Sequence, residues 1–105
     1  MSKNIKGEGF KITEGKVEYS QIPPNVLEQI AWVLTEGAKD HGSDTNWQKV
    51  GNPRKTFYNS TMRHIEKWRS GELYNLEDHG RHHLAYAIGN LIFLLWLDLM
   101  GVKGE

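Results

Sequence analysis

The strongest constraint on this chain is residues 84–100, an almost unbroken apolar run whose only strongly polar members are Asn90 and Asp98. The run is shorter than the ~20 residues needed to cross a bilayer. It follows directly on His79, Arg81, His82 and His83. It therefore reads as the central helix of a folded core, with no membrane role. Its last part, Leu91 to Leu97, is apolar on every face, so neighbours within one chain leave part of it uncovered. The expectation is a homo-oligomer formed through this helix.

Two further helices can pack on it. In residues 25–38, Leu27, Ile30, Ala31 and Leu34 follow the 3.6 period, with Pro23 and Pro24 at the start and Gly37 or Gly42 at the end. Residues 55–69 carry a stripe of Tyr58, Met62, Ile65 and Trp68, stopped by Ser70 and Gly71. The third helix spans about residues 81–100 and ends at Gly101. Gly42, Asn46, Gly51, Asn52 and Pro53 mark the stretch between the first two helices as a loop, with Trp47 inside it. Short connections favour antiparallel neighbours. The fold class expected is mostly all-α: a small bundle resting on three helices. Residues 1–20 alternate loosely around Gly7, Gly9 and Gly15 and are expected to form an arm or a short β-hairpin, with Phe10, Ile12, Val17 and Tyr19 available to pack. The domain division is then 1–20 for the arm and 21–105 for a helical domain.

Charge narrows the partners. Lys plus Arg and Asp plus Glu number 13 each, and there is no long basic stripe, which argues against binding a nucleic-acid polymer. The 105 residues contain no cysteine, which excludes disulfides and thiolate metal sites. The polar start of the chain, residues 1–10, has no hydrophobic stretch of the kind a secretion signal needs.

The unusual residues are the imidazoles. His64 lies on the second helix beside Arg63, and Phe57, Thr61, His64 and Trp68 share a flank. On the third helix, His79, His83, Ala87 and Asn90 fall on one side, with His82 one position round from His83. Asn90 buried without a partner would cost about 1–3 kcal/mol, so it has a specific hydrogen-bonding task. One reading makes these residues a structural network between helices. The other makes Arg63, His64, Arg81, His82 and His83 donors to an anionic ligand, with Trp47 and Trp68 able to stack on a flat ring. In that reading Arg63, His64 and His83 contact the anion's oxygens and Trp47 covers the ring. A divalent ion, if one is used, has Glu36, Asp40, Glu72 and Asp78 to hold it, with Mg or Mn matching oxygen-rich or mixed sets. No HExxH motif and no phosphate-binding Gly-rich loop is present.

These residues also carry a resemblance. Gly15-Lys16-Val17-Glu18-Tyr19 and Ile22-Pro23-Pro24 begin it, and Thr35-Glu36-Gly37-Ala38-Lys39-Asp40-His41-Gly42 and Asn46-Trp47 continue it. Arg63-His64, Trp68-Arg69-Ser70-Gly71-Glu72, His83-Leu84-Ala85 and Asn90 complete it. Over roughly residues 15–97 the chain resembles a phage and prophage family, the dATP/dGTP diphosphohydrolase N-terminal domain. The resemblance implies a helical protein that handles nucleotides in the cytoplasm of a phage-infected or prophage-carrying bacterium. It also implies kinship with all-helical nucleoside triphosphate pyrophosphohydrolases, which use divalent ions on helix-borne carboxylates. Those enzymes show a Glu-x-x-Glu pair on one helix and a Glu-x-x-Asp pair on another. Glu66 and Glu72 make no such pair, and Tyr86 stands where the family is expected to have His. These departures count against turnover and leave phosphate recognition in place. The function expected first is thus binding of a nucleotide or nucleotide-derived signalling molecule without turnover, in the manner of an anti-defence sponge, and that reading requires no cofactor. A metal-dependent dNTP diphosphohydrolase releasing pyrophosphate comes second, and a structural or protein-interaction module third.

Overall fold

The computed structural model describes residues 14–102, and they form an all-α three-helix bundle. Helix α1 is Pro24–Asp40, α2 is Pro53–Arg69 and α3 is His83–Leu99. Single 3-10 turns, Tyr19–Gln21 and Asn46–Lys49, precede α1 and α2. The expected N-terminal hairpin is corrected. No strand occurs among the described residues, and Tyr74 and His82 make an isolated bridge. Of residues 1–20, Phe10 and Ile12 lie outside the described residues, whereas Val17 and Tyr19 are exposed and pack into no sheet. The reason is local. Tyr19 carbonyl accepts from the Ile22 amide and Glu18 carbonyl from the Gln21 amide, closing a turn that leads straight into Pro23-Pro24. Proline then removes the donor a ladder needs and sets the backbone angle of a first helical turn.

Both α1 and α2 open on proline at their first position. The residue before α2, Asn52, takes a left-handed φ of 50°, which asparagine tolerates better than most side chains. At the other end of α2, Gly71 adopts φ 106° so that the Glu72 amide can reach back to the Lys67 carbonyl at 2.9 Å. That reversal sends residues 72–82 across the bundle.

Helix α3 is the central element and packs against both α1 and α2. Small residues make this possible: Ala85, Ala87 and Gly89 are buried along it. A Cβ at Gly89 would lie 3.3 Å from Leu34 Cδ2 and 3.5 Å from Val33 Cγ1, so α1 sits closest to α3 there. Ile30, Phe57 and Leu97 supply the larger core side chains. The opposite side of α3 stays uncovered, with Leu91, Leu95 and Leu99 at 48%, 58% and 75% exposure. No helix among the described residues is long and apolar enough to cross a membrane.

Candidate functional site

With α3 as the floor, α1 and α2 form the walls of a cleft of about 710 Å³. Val33, Leu34 and Glu36 line it from α1, Phe57, Ser60 and His64 from α2, and Tyr86, Asn90 and Phe93 from α3. The loop after α1 closes one end with Trp47. Its indole stacks on Phe93 at 4.6 Å between centroids and 11° between planes, and meets Trp96 edge-on at 5.0 Å. Stacking against residues of α3 thus fixes a loop tryptophan as a wall of the cleft. Asn90 Nδ2 donates to Ser60 Oγ across 2.9 Å, which ties α3 to α2 and gives the asparagine its partner.

Beside them lies a chain of three ionisable groups. His83 is 0% exposed, with Nε2 2.8 Å from Glu72 Oε2 and Nδ1 2.9 Å from His64 Nδ1. The connection between α2 and α3 builds this geometry. The His83 amide donates to the Leu73 carbonyl at 2.8 Å, and the Asn75 amide to the Arg81 carbonyl at 2.8 Å, so the two ends of the connection are clamped and Glu72 arrives beside His83. His64 lies flat on Tyr86, 4.9 Å between centroids and 10° between planes. Burial first, then His83 and the charges of Lys67 and Arg63, push the His64 imidazole down to about 4. Tyr86 Oη is buried, with the Asp78 carboxylate and the backbone of Arg81 and His79 about it. Burial and then the negative charge of Asp78 hold its phenol above the ordinary value.

The cleft also includes Asp40, Asp78 and His79. Each of these exposed residues offers one ligand atom, and the three atoms lie within 4.8 Å of one another. His79 Nε2 is 2.8 Å from Asp40 Oδ2 and 3.6 Å from Asp78 Oδ1. The hydrogen bond to Asp40 raises the His79 pKa above its ordinary value. Two carboxylates and an imidazole are a mixed donor set that matches manganese or magnesium and leaves coordination positions for phosphate oxygens and water.

The residues singled out in the sequence separate into groups. Trp47, His64 and Asn90 line the cleft together with Glu36, Asp40 and Asp78. Glu36 is held by Arg81, whose Nη2 reaches Oε2 at 2.7 Å and whose Nε reaches both oxygens, and this guanidinium keeps the Glu36 carboxyl below its ordinary value. Arg81 also lies over the Trp32 ring at 4.9 Å, so its faces and its fork are both engaged. His82 caps α3: its Nδ1 accepts from the Leu84 amide at 3.0 Å. His83 lies behind His64, and Glu72 is engaged with it, outside the Asp40, Asp78 and His79 cluster. Arg63 and Trp68 are exposed and outside the cleft lining. Sequence reasoning grouped His79 with the helix imidazoles and did not assign it to the metal set. Its place directly after Asp78 was the available signal.

The site thus joins aromatic walls, two carboxylates and an imidazole in one cleft of an all-α bundle. The family model described as "dATP/dGTP diphosphohydrolase, N-terminal" matches residues 6–105, and the chain belongs to this family. A "dATP/dGTP diphosphohydrolase" of Salmonella phage PMBT28 is 34% identical over 93 residues, covering 85% of this chain and 29% of the relative. The chain thus spans less than a third of that relative's length. No solved structure matches it significantly.

Proposed function

We propose that this chain forms the nucleotide-binding cleft of a divalent-metal-dependent dNTP diphosphohydrolase of phage type. The observation that carries the reading is the placement of Asp40, Asp78 and His79, three ligand atoms within 4.8 Å, in the same cleft that Trp47 and Phe93 wall with aromatic rings. The activity on dATP and dGTP by which the family is described supports the same assignment, with residues 21–105 as the nucleotide-binding unit.

In this reading the rings of Trp47 and Phe93 shelter the base, and Ser60, His64 and Asn90 face the sugar and base edge. Asp40, Asp78 and His79 would hold Mg or Mn. Such an ion, when bound, relieves phosphate charge and lowers the pKa of an attacking water. Arg81 compensates Glu36, and His64, its pKa lowered to about 4, is uncharged at neutral pH, so a divalent ion held by Asp40, Asp78 and His79 would draw the triphosphate to that end of the cleft. Glu36 and Glu72 are committed to Arg81 and His83, which leaves the three-residue cluster as the metal set. The same commitments are what a binder without turnover would show, and that second reading keeps the cleft and removes the chemistry. Family membership and the cluster favour the hydrolase. They reverse the order expected from the sequence, which placed binding first.

Calorimetric titration with Mn²⁺ tests the metal set. One ion should bind per cleft, and Asp78→Asn should weaken it at least ~10-fold, a loss of about 1.4 kcal/mol. Unchanged Mn²⁺ affinity in Asp40→Asn, Asp78→Asn and His79→Ala would remove the metal from this site.

A further inference from the structure

We propose that Glu72 and His83 lock His64 in the tautomer protonated on Nδ1, so that His64 Nε2 presents a lone pair to the cleft and selects a ligand group that donates a hydrogen bond, either a purine amine or a sugar hydroxyl. The inference rests on the nucleotide reading above and adds the polarity of one contact within it.

A neutral imidazole has one donor and one acceptor nitrogen, and whatever bonds to one decides the other. The Glu72 carboxylate only accepts, so His83 Nε2 donates to it across 2.8 Å. A neutral His83 then has only a lone pair at Nδ1. His64 Nδ1, 2.9 Å away, must supply the hydrogen between them. His64 Nε2 is left unprotonated, and no hydrogen bond reaches it from the described residues. His83 enters this lock as the neutral ring, 0% exposed and bonded at both nitrogens.

The surroundings keep this acceptor in place. His64 lies flat on Tyr86, and a half-turn of the ring, which keeps that stack, would lose the hydrogen bond to His83. His83 and Tyr86 face it from α3, Arg63 and Lys67 flank it on α2, and Asp78 acts on it from the connection. Burial and the neighbouring positive groups disfavour an added proton on His64. A phosphate oxygen has no hydrogen to give. The part of the ligand that faces His64 is therefore its base or sugar, and its phosphates lie toward Asp40, Asp78 and His79. This reverses the donor role that the sequence pattern suggested for His64.

Nitrogen-15 NMR of the full chain at pH 8 reads the tautomers directly. The expected spectrum shows His64 protonated on Nδ1 and His83 on Nε2. His64 protonated on Nε2, or His83 present as an imidazolium that donates to His64, overturns the proposal. Glu72→Ala removes a half-exposed side chain, leaves the core packed, and should release His64 into a mixture of tautomers; an unchanged spectrum overturns the lock. Calorimetry with Ca²⁺ then compares dATP with its analogue lacking the 6-amino group and with 2′,3′-dideoxy-ATP. One analogue should bind at least ~10-fold more weakly than dATP to the wild-type chain, with the gap closing in Glu72→Ala. The analogue that loses affinity identifies the donor as amine or hydroxyl. Equal affinity for all three overturns the selection and leaves the nucleotide reading standing, whereas no binding of any of them overturns both.

Discussion

His64 and His83 meet nitrogen to nitrogen, Nδ1 to Nδ1 at 2.9 Å, across the α2–α3 interface. At that distance one ring must hold the hydrogen and the other must not. A second proton on His64 would add a charge beside a fully buried neighbour. The pair therefore ties folding to pH. His64 is depressed to about 4 in the fold against an ordinary value of 6.5. Between those values the unfolded chain binds the proton and the folded chain does not. The contribution of His64 to stability is complete above pH 6.5 and is lost as pH falls toward about 4, at up to ~1 kcal/mol per pH unit. Urea unfolding at pH 7.5, 6, 5 and 4.5 should show this decline, and it should be smaller in His64→Phe than in the wild-type chain.

The Asp40–His79 pair shifts the other way. Its hydrogen bond raises the His79 pKa, so the titration midpoint of its ring protons by NMR should lie above 6.5. This contribution is present below pH 6.5 and is lost as pH rises through the raised midpoint. Asp40→Asn should lower the midpoint. An unshifted midpoint in that variant would mean that the pair does not form in solution.

Gly89 is where α1 and α3 come closest. A side chain there must displace Leu34 and Val33, which a Cβ would approach to 3.3 and 3.5 Å. Gly89→Val should destabilise the bundle by about 1–3 kcal/mol through overpacking, measured as a lower urea midpoint at an unchanged slope. Unaltered stability would place the helices further apart than described.

We further propose that the uncovered stripe of Leu91, Leu95 and Leu99 on α3 mediates self-association. Sedimentation at micromolar concentration should show an oligomer, and Leu95→Lys should shift it to monomer while leaving helix content unchanged. A monomeric wild-type chain would refute this contact.

Helix positions were legible in the sequence because their signals are local. Pro24 opens α1, Gly71 and Gly101 follow the ends of α2 and α3, and the apolar run over 84–100 covers α3, whereas Pro53, read as part of the loop, in fact opens α2. The short β-hairpin offered beside an arm for residues 1–20 is absent from residues 14–20, the part of that stretch among the described residues, because loose alternation with glycine looks the same whether or not a partner strand exists. A single turn at Tyr19–Gln21 is enough to satisfy the backbone there. Of the candidates named in the sequence, Trp47, His64, Asn90, Glu36, Asp40 and Asp78 line the cleft, and Arg63, Trp68, Arg81, His82, His83 and Glu72 do not. Their pairings could not be read from spacing. Arg81 meets Glu36 across 45 positions and His79 meets Asp40 across 39, contacts that exist only once α1 has packed on α3. Residue type fixed the chemistry each group could do, and the tertiary fold decided which ones were already occupied.

The central claim is turnover at the cleft that holds Asp40, Asp78 and His79, and phosphorus-31 NMR of dATP and dGTP incubated with the chain and Mg²⁺ or Mn²⁺ tests it most directly. The account predicts deoxynucleoside monophosphate and pyrophosphate in equal amounts, dependent on the metal and abolished by Asp78→Asn in a chain that stays folded. Nucleotide that binds the cleft and is recovered as intact triphosphate in the presence of either metal would contradict it and make binding without turnover the function of this domain.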